Sequence, residues 1–332
     1  MLTGADPIRA FGALFQGAFT TNNAFPETLV ATVPYIFLGL AVALGFKAGL
    51  FNIGAEGQFY LGAIFGVFVA DRIHGLPGLV EIPVALAAGI LGGFLWGALP
   101  GFLKARFGAH EVITTIMLNY VAFGLSDYLI SRGPLSDKHA SASKTPFIDL
   151  HAQLPTIPGT RLHAGILLAL IAVPLVWFLI QRTTLGFQIR AVGFNQNAAR
   201  ANGMSVGWTL VLTMGISGAL AGLAGSDEVL GVSHFMTASF TTGYGFDAIA
   251  IALVARSNPW AVLPSAFLFG AMRSGAGFMQ LETQVSADLI SVVQATVIIF
   301  VAAPVIVRWV FRIKDPIPAV KAASTTPGGA QI

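Results

Sequence analysis

The chain alternates long apolar blocks with short polar breaks. A helix needs about 20 mostly apolar residues to cross a bilayer core. Blocks of that order occupy residues 28–48, 82–103, 112–130, 163–180, 208–225 and 289–311, and another opens at Trp260 and ends near Gly277. Residues 53–70 make a shorter span, and the run at 243–255 is too short for a full crossing and suits a re-entrant or tilted element. Backbone polar groups in lipid must be satisfied within their own segment, so these blocks predict helices. The expectation is an all-α polytopic membrane protein with about 8–9 transmembrane or re-entrant helices. Residues 1–26, broken by Asp6, Pro7, Arg9 and Asn22, show no cleavable signal and read as an interfacial segment. Residues 27–312 read as the transmembrane domain, with a loop at 182–206, and residues 313–332, with Pro316, Pro318 and Pro327, as a disordered tail.

Within the blocks, small and polar residues fall at helical spacings. Gly89, Gly93, Gly97 and Gly101 stand four apart and predict a groove for close helix packing rather than ligand contact. Thr115, Asn119 and Ser126 share one helical face, which either bonds a neighbouring helix or faces a pore.

The chain is organised around residues 49–58, Gly-Leu-Phe-Asn-Ile-Gly-Ala-Glu-Gly-Gln, which apolar sequence flanks on both sides. A carboxylate at that depth is expensive, and three glycines in ten residues break a regular helix. Two readings stand. The stretch is a broken helix lining a solute path, covered by protein or water, or it is a tight turn with Glu56 capping helix N–H groups at the cytoplasmic surface. Gly243-Tyr-Gly-Phe-Asp247 repeats the motif of a carboxylate beside glycines before a short apolar run. Paired glycine-interrupted segments in two halves point to a transporter's solute site, although the halves share negligible direct identity.

Composition narrows the class. The 332 residues are 55% hydrophobic and 10% charged, against about 25% charged in soluble domains. The net charge of +3 reflects basic loops and needs no nucleic-acid partner. No cysteine is present, so thiolate metal sites and Cys nucleophiles are excluded. There is no phosphate-cradling Gly-rich loop with Lys, no His-Glu-x-x-His and no Gly-x-Ser-x-Gly. The six histidines are scattered over loops and span ends. The chain reads as a conduit in lipid, without a catalytic or metal site, driven by an ion gradient or by an ATPase partner.

Arg182, Arg190 and Arg200 make residues 182–206 the longest basic stretch between spans. Placing it in the cytoplasm puts Lys47, Lys104, Arg106, Arg256 and the C-terminal basic residues inside. Arg9, Arg72 and Arg273 then fall outside with the long polar loop at 131–162, and the N-terminus is outside.

Ala198-Ala199-Arg200-Ala-Asn-Gly203 resembles the loop by which permeases of ATP-binding cassette (ABC) importers dock a short helix into their ATPase, with Asn197 where that family carries Glu. Four blocks in order strengthen the resemblance: residues 49–58, His110–Tyr120, Arg190–Gly203 and Gly245–Leu253. Together they resemble permeases of the branched-chain amino acid/ribose superfamily, most closely the nucleoside branch, over roughly residues 27–304. The resemblance implies a multi-pass protein of the bacterial inner membrane, a separate ABC ATPase that uses the ATP, a second permease subunit and a periplasmic or lipoprotein solute-binding protein. It implies no cofactor in this chain. Arg190, Asn197, Ala198, Ala199, Arg200 and Gly203 are then the candidate coupling residues. Asn52, Glu56, Gln58, Thr115, Asn119 and Asp247 are the candidate solute path, with amides suited to an uncharged nucleoside. A branched-chain amino acid would need a cationic partner for its carboxylate, and no Arg or Lys is expected well inside a span. An ion-coupled carrier would use Glu56 and Asp247.

Overall fold

A computed structural model of the chain describes residues 6–296 apart from 22, 74–76, 239, 241–242, 285, 287–288, 290 and 295. Most of the expected span at 289–311 and all of the tail at 313–332 lie outside the described residues. Those described fold into helices α1 (Pro7–Phe15), α2 (Ala24–Lys47), α3 (Ala55–Arg72), α4 (Gly78–Phe107), α5 (Glu111–Ser131), α6 (Gly165–Arg182), α7 (Thr184–Phe194), α8 (Gln196–Ala201), α9 (Val206–Glu228), α10 (Tyr244–Val254) and α11 (Pro259–Thr283). No strand occurs among the described residues, which bears out the all-α class. Among the described residues, five helices are long and apolar enough to cross a membrane: α2, α4, α5, α6, and α9 with its extension to Ser233.

The axis of the bundle is α2. Its most apolar window is 89% buried, against 28–33% for α4, α5 and α6. Phe37, Leu38, Leu40 and Leu44 are fully enclosed. A helix apolar on every side is stable only when surrounded, and here other helices rather than lipid surround it. The flanking helices turn Leu91, Leu95, Met117, Tyr120, Ile171 and Leu175 outward, as lipid-facing helices do.

Helices α3, α4 and α9 meet on glycine. A Cβ on Gly93 would enter the backbone of Gly218 and Gly222, and one on Gly62 would enter Gly222. Gly89 and Gly97 face α9 in the same way. The four-residue spacing is therefore a packing seam, as expected.

Two sequence-based expectations change. Ser226, Asp227 and Glu228 lie inside α9, which runs on through a π-helical turn, Val229–Ser233. The 182–206 stretch is two helices, α7 and α8, rather than a loop. The 131–162 stretch is a loop, as expected, held against the end of α9: Ile148 N–H donates to His234 C=O (2.9 Å) and Leu154 N–H to Leu230 C=O (2.9 Å). Arg273 sits within α11, which starts at Pro259 behind an Asn258 cap and is longer than expected.

At the N-terminal side, Asp6 caps α1 by accepting from Ile8 N–H (3.0 Å). Ala10 and Ala13 bury against Met272, Ala276 and Met279 of α11, while Ile8, Phe11 and Phe15 stay exposed.

Candidate functional site

The chain doubles back after α2. Gly49 takes φ +70°, and Leu50 N–H returns to Gly45 C=O (3.0 Å). Asn52 Nδ2 then donates to Ser217 Oγ (2.8 Å), which donates to Ala41 C=O (2.7 Å). Ala41 lies six residues before the end of α2, about 9 Å up the helix. Residues 50–54 are thus non-helical backbone folded back along α2, and α3 starts from them.

Such backbone survives at membrane depth only if its polar groups are satisfied by protein or water. Here amides do it. Asn52 and Gln58 pair reciprocally, Asn52 Nδ2 donating to Gln58 Oε1 (2.8 Å) and Gln58 Nε2 to Asn52 Oδ1 (3.1 Å). Gly54 N–H also donates to Asn52 Oδ1 (3.1 Å). From α5, Asn119 Oδ1 accepts from Gly57 N–H (2.8 Å), and its Nδ2 donates to Ile53 C=O (3.0 Å). The polar face of α5 therefore bonds a neighbouring helix at Asn119. Thr115 instead donates to Glu111 C=O in its own helix (2.7 Å) and packs beside Gly54. Asn52, Gln58, Thr115 and Asn119 are each at most 2% exposed.

Glu56 joins the two halves. Its Oε1 accepts from Gly243 N–H (3.0 Å) and its Oε2 from Gly245 N–H (2.6 Å), with the residue 1% exposed. These N–H groups sit at the start of α10, where the first helical N–H groups lack intrahelical partners and the dipole favours an anion. Gly243 takes φ +72°, and a Cβ on Gly245 would collide with the Glu56 backbone, so both glycines are needed. The eleven residues of α10 reach only about 16 Å, half a bilayer. Two helices, the 18-residue α3 and the 11-residue α10, thus begin at one carboxylate. Residues 49–58 do break the helix, and Glu56 does cap helix N–H groups, though those of α10 and not its own.

Asp247 lies one turn along α10. Tyr35 Oη donates to Asp247 Oδ2 (2.6 Å), and Arg273 Nη1 lies 3.9 Å from the same oxygen. The Arg273 guanidinium also donates to Tyr35 Oη (3.4 Å) and stands over the Tyr244 ring at 4.1 Å. A cation therefore does sit within a helix, α11, and an acid and two tyrosines already engage it.

The coupling candidates form their own unit. Thr183 caps α7 by accepting from Gly186 N–H (3.0 Å), and Asn195 caps α8 by accepting from Asn197 N–H (2.9 Å) and Ala198 N–H (3.0 Å). Ala199 is buried, whereas Asn197, Ala198, Arg200 and Gly203 are exposed. Gly203 ends the unit at φ +76°. A Cβ on Gly193 would enter the Lys47 carbonyl, so α7 bears directly on the corner where α2 turns into residues 49–58. Phe46, Lys47, Arg190, Gly193 and Phe194 line a hollow of about 280 Å³ there. The sequence reading missed Ser217, Tyr35 and Asn195. Only Asn195 carried a local signal, a cap-forming residue just before a short helical run.

Comparison with known proteins gives this geometry a family. The family model described as branched-chain amino acid transport system/permease component matches residues 25–302. The chain is 41% identical to a guanosine ABC transporter permease protein, NupP, of Bacillus subtilis over 93% of this chain and 90% of the relative. It is 36% identical to a glucose ABC transporter permease protein, TsgB13, of Haloferax volcanii over 89% and 80%. It is 33% identical to a nucleoside ABC transporter permease protein, NupB, of Lactococcus lactis over 97% and 90%. The chain therefore belongs to the branched-chain amino acid transport system/permease component family and is a multi-pass ABC transporter permease.

Proposed function

We propose that this chain imports nucleosides, as one of two permease subunits served by a separate ABC ATPase and a solute-binding protein. The observation that carries the nucleoside reading is its similarity to guanosine and nucleoside permeases along nearly its whole length. The polar groups at the meeting point of α3 and α10 agree with it. They are mostly amides and hydroxyls, suited to an uncharged solute, and the half-buried Arg273 nearby is already engaged by Asp247 and Tyr35.

In this reading Asn52, Glu56, Gln58, Thr115, Asn119 and Asp247 frame the path by fixing the starts of the two helices, α3 and α10, that border it. ATPase closure pushes on α7 and α8. The contact of Gly193 with Lys47 passes that push to the base of α2 and so to residues 49–58. ATP is consumed by the partner, and this chain supplies alternating access.

The experiment is uptake of labelled guanosine into proteoliposomes with the binding protein outside and ATP inside. ATP-dependent accumulation is expected. Uptake driven by a proton gradient without ATP would overturn the reading in favour of an ion-coupled carrier.

A further inference from the structure

A second polar site lies at the other end of α2 from the coupling helices. Glu27 and Lys47 are twenty residues apart on that helix, about 30 Å. Around Glu27 a cavity of about 370 Å³ opens, in the size range of small-molecule sites. Its walls include Glu27, Arg161, Glu228, Tyr244, Arg273 and Ser274. Both π-helical turns, Gln16–Thr20 and Val229–Ser233, contribute to it through Gly17 and Val232. Such turns are rare and concentrate at functional sites.

Two carboxylates and two guanidiniums line this cavity, but their partners are uneven. Arg161 pairs with Glu27 at 3.3 Å. Arg273 is held by Tyr35 and Asp247 and stands over Tyr244. Glu228 is only 9% exposed, it lines the cavity, and no side chain or N–H among the described residues donates to it. A donor group that enters the cavity can therefore hydrogen-bond to it. The two guanidiniums in the same walls disfavour a metal cation. A neutral molecule with adjacent O–H groups answers the geometry, since two donors on neighbouring carbons match the two oxygens of a carboxylate.

We infer that this cavity is a solute-binding vestibule within a single permease chain, in which Glu228 accepts hydrogen bonds from the vicinal hydroxyls of a neutral polyhydroxylated solute, the ribose of a nucleoside. The identity of the solute rests on the proposed function; the vestibule does not. Tyr244 makes the occupant matter for transport. It lines the cavity and lies between Gly243 and Gly245, the two residues that Glu56 grips. An occupant therefore touches the element on which α3 is anchored.

The chain has no cysteine, so one introduced thiol reports alone. Ser274→Cys, with Val232→Cys as a second reporter, is reacted with a membrane-impermeant maleimide. The chain is assembled with its ATPase, second permease and binding protein in proteoliposomes, with and without a non-hydrolysable ATP analogue. Guanosine is expected to slow labelling, and 2′,3′-dideoxyguanosine to need about tenfold more or higher for equal protection, the size of a lost hydrogen bond to a charged group. Adding Glu228→Gln should bring guanosine to the dideoxy level and leave the dideoxy compound unchanged. Protection by no solute in any state, or equal loss of protection for both nucleosides in Glu228→Gln, overturns the vestibule. Protection by glucose and not by guanosine keeps the vestibule and overturns the nucleoside. Guanosine uptake without protection does the reverse.

Discussion

Glu56 accepts the backbone N–H of Gly245 at 2.6 Å, so the first turn of α3 holds the first turn of α10 across 189 positions of sequence. The start of α10 depends on α3 for the acceptor of its first N–H groups. Removing the carboxylate should therefore damage both halves at once. Glu56→Ala should lower the melting temperature and the yield of monodisperse protein in detergent, since each charge-assisted bond is worth about 1.5–3 kcal/mol. Glu56→Gln keeps one acceptor and should be milder. Uptake and thermal stability at the wild-type level in Glu56→Ala would refute the clamp.

The amide network makes a sharper comparison within one helix. Asn119→Leu strands the Gly57 N–H and the Ile53 C=O and should cost about 1–3 kcal/mol for each group left unpaired. Ser126, equally buried on the same helix, has no hydrogen-bond partner among the described residues, so Ser126→Ala should be neutral or stabilising. Thermal unfolding of both variants tests the pair. Equal loss in the two would mean that burial, not bonding, governs this face.

The glycine seam predicts a similar contrast. Gly222→Leu must separate α9 from α3 and α4 and should abolish folded protein, because the added atoms meet backbone rather than flexible side chains. Gly124, in α5, has open space where a Cβ would go. Gly124→Ala should raise stability by about 0.5–1 kcal/mol. Size-exclusion profiles after heating distinguish these outcomes.

The coupling unit should fail separately from the fold. Gly203 is exposed and its Cβ position is empty, so Gly203→Trp carries only the local strain of a left-handed residue at φ +76° and should leave folded protein while uptake and ATPase co-purification are lost. Asn195→Ala removes the α8 cap, worth about 0.5–2 kcal/mol, and should weaken rather than abolish coupling. Full transport by Gly203→Trp with a full complement of ATPase would remove this unit from the coupling role.

Orientation is open to a direct check. In spheroplasts, a thiol at Ser141, in the segment folded over the end of α9, should react with an impermeant reagent, and one at Ala201 in α8 should not. The reverse pattern would place the coupling unit outside the cell and end that assignment.

Hydropathy by itself determined the class and most helix positions. The bilayer sets one length and demands internal backbone bonding, so α2, α4, α5 and α6 follow from local composition within a few residues. Glycine spacing likewise announced the packing groove on α4, because a four-residue repeat is a property of one helix face, though not that α9 would fill it. Residues 49–58 were legible as a break, since glycines beside a carboxylate in apolar sequence permit little else. Which partner satisfies each break was decided only in three dimensions. Ser217 reaches Asn52 from 165 positions away, and Gly243 reaches Glu56 from 187. No local pattern encodes which helices become neighbours. The same limit hid Arg273. The basic-residue count places it among the outside residues with no partner in view, yet Tyr35, Tyr244 and Asp247, brought in by α2 and α10, give its guanidinium partners within the bundle.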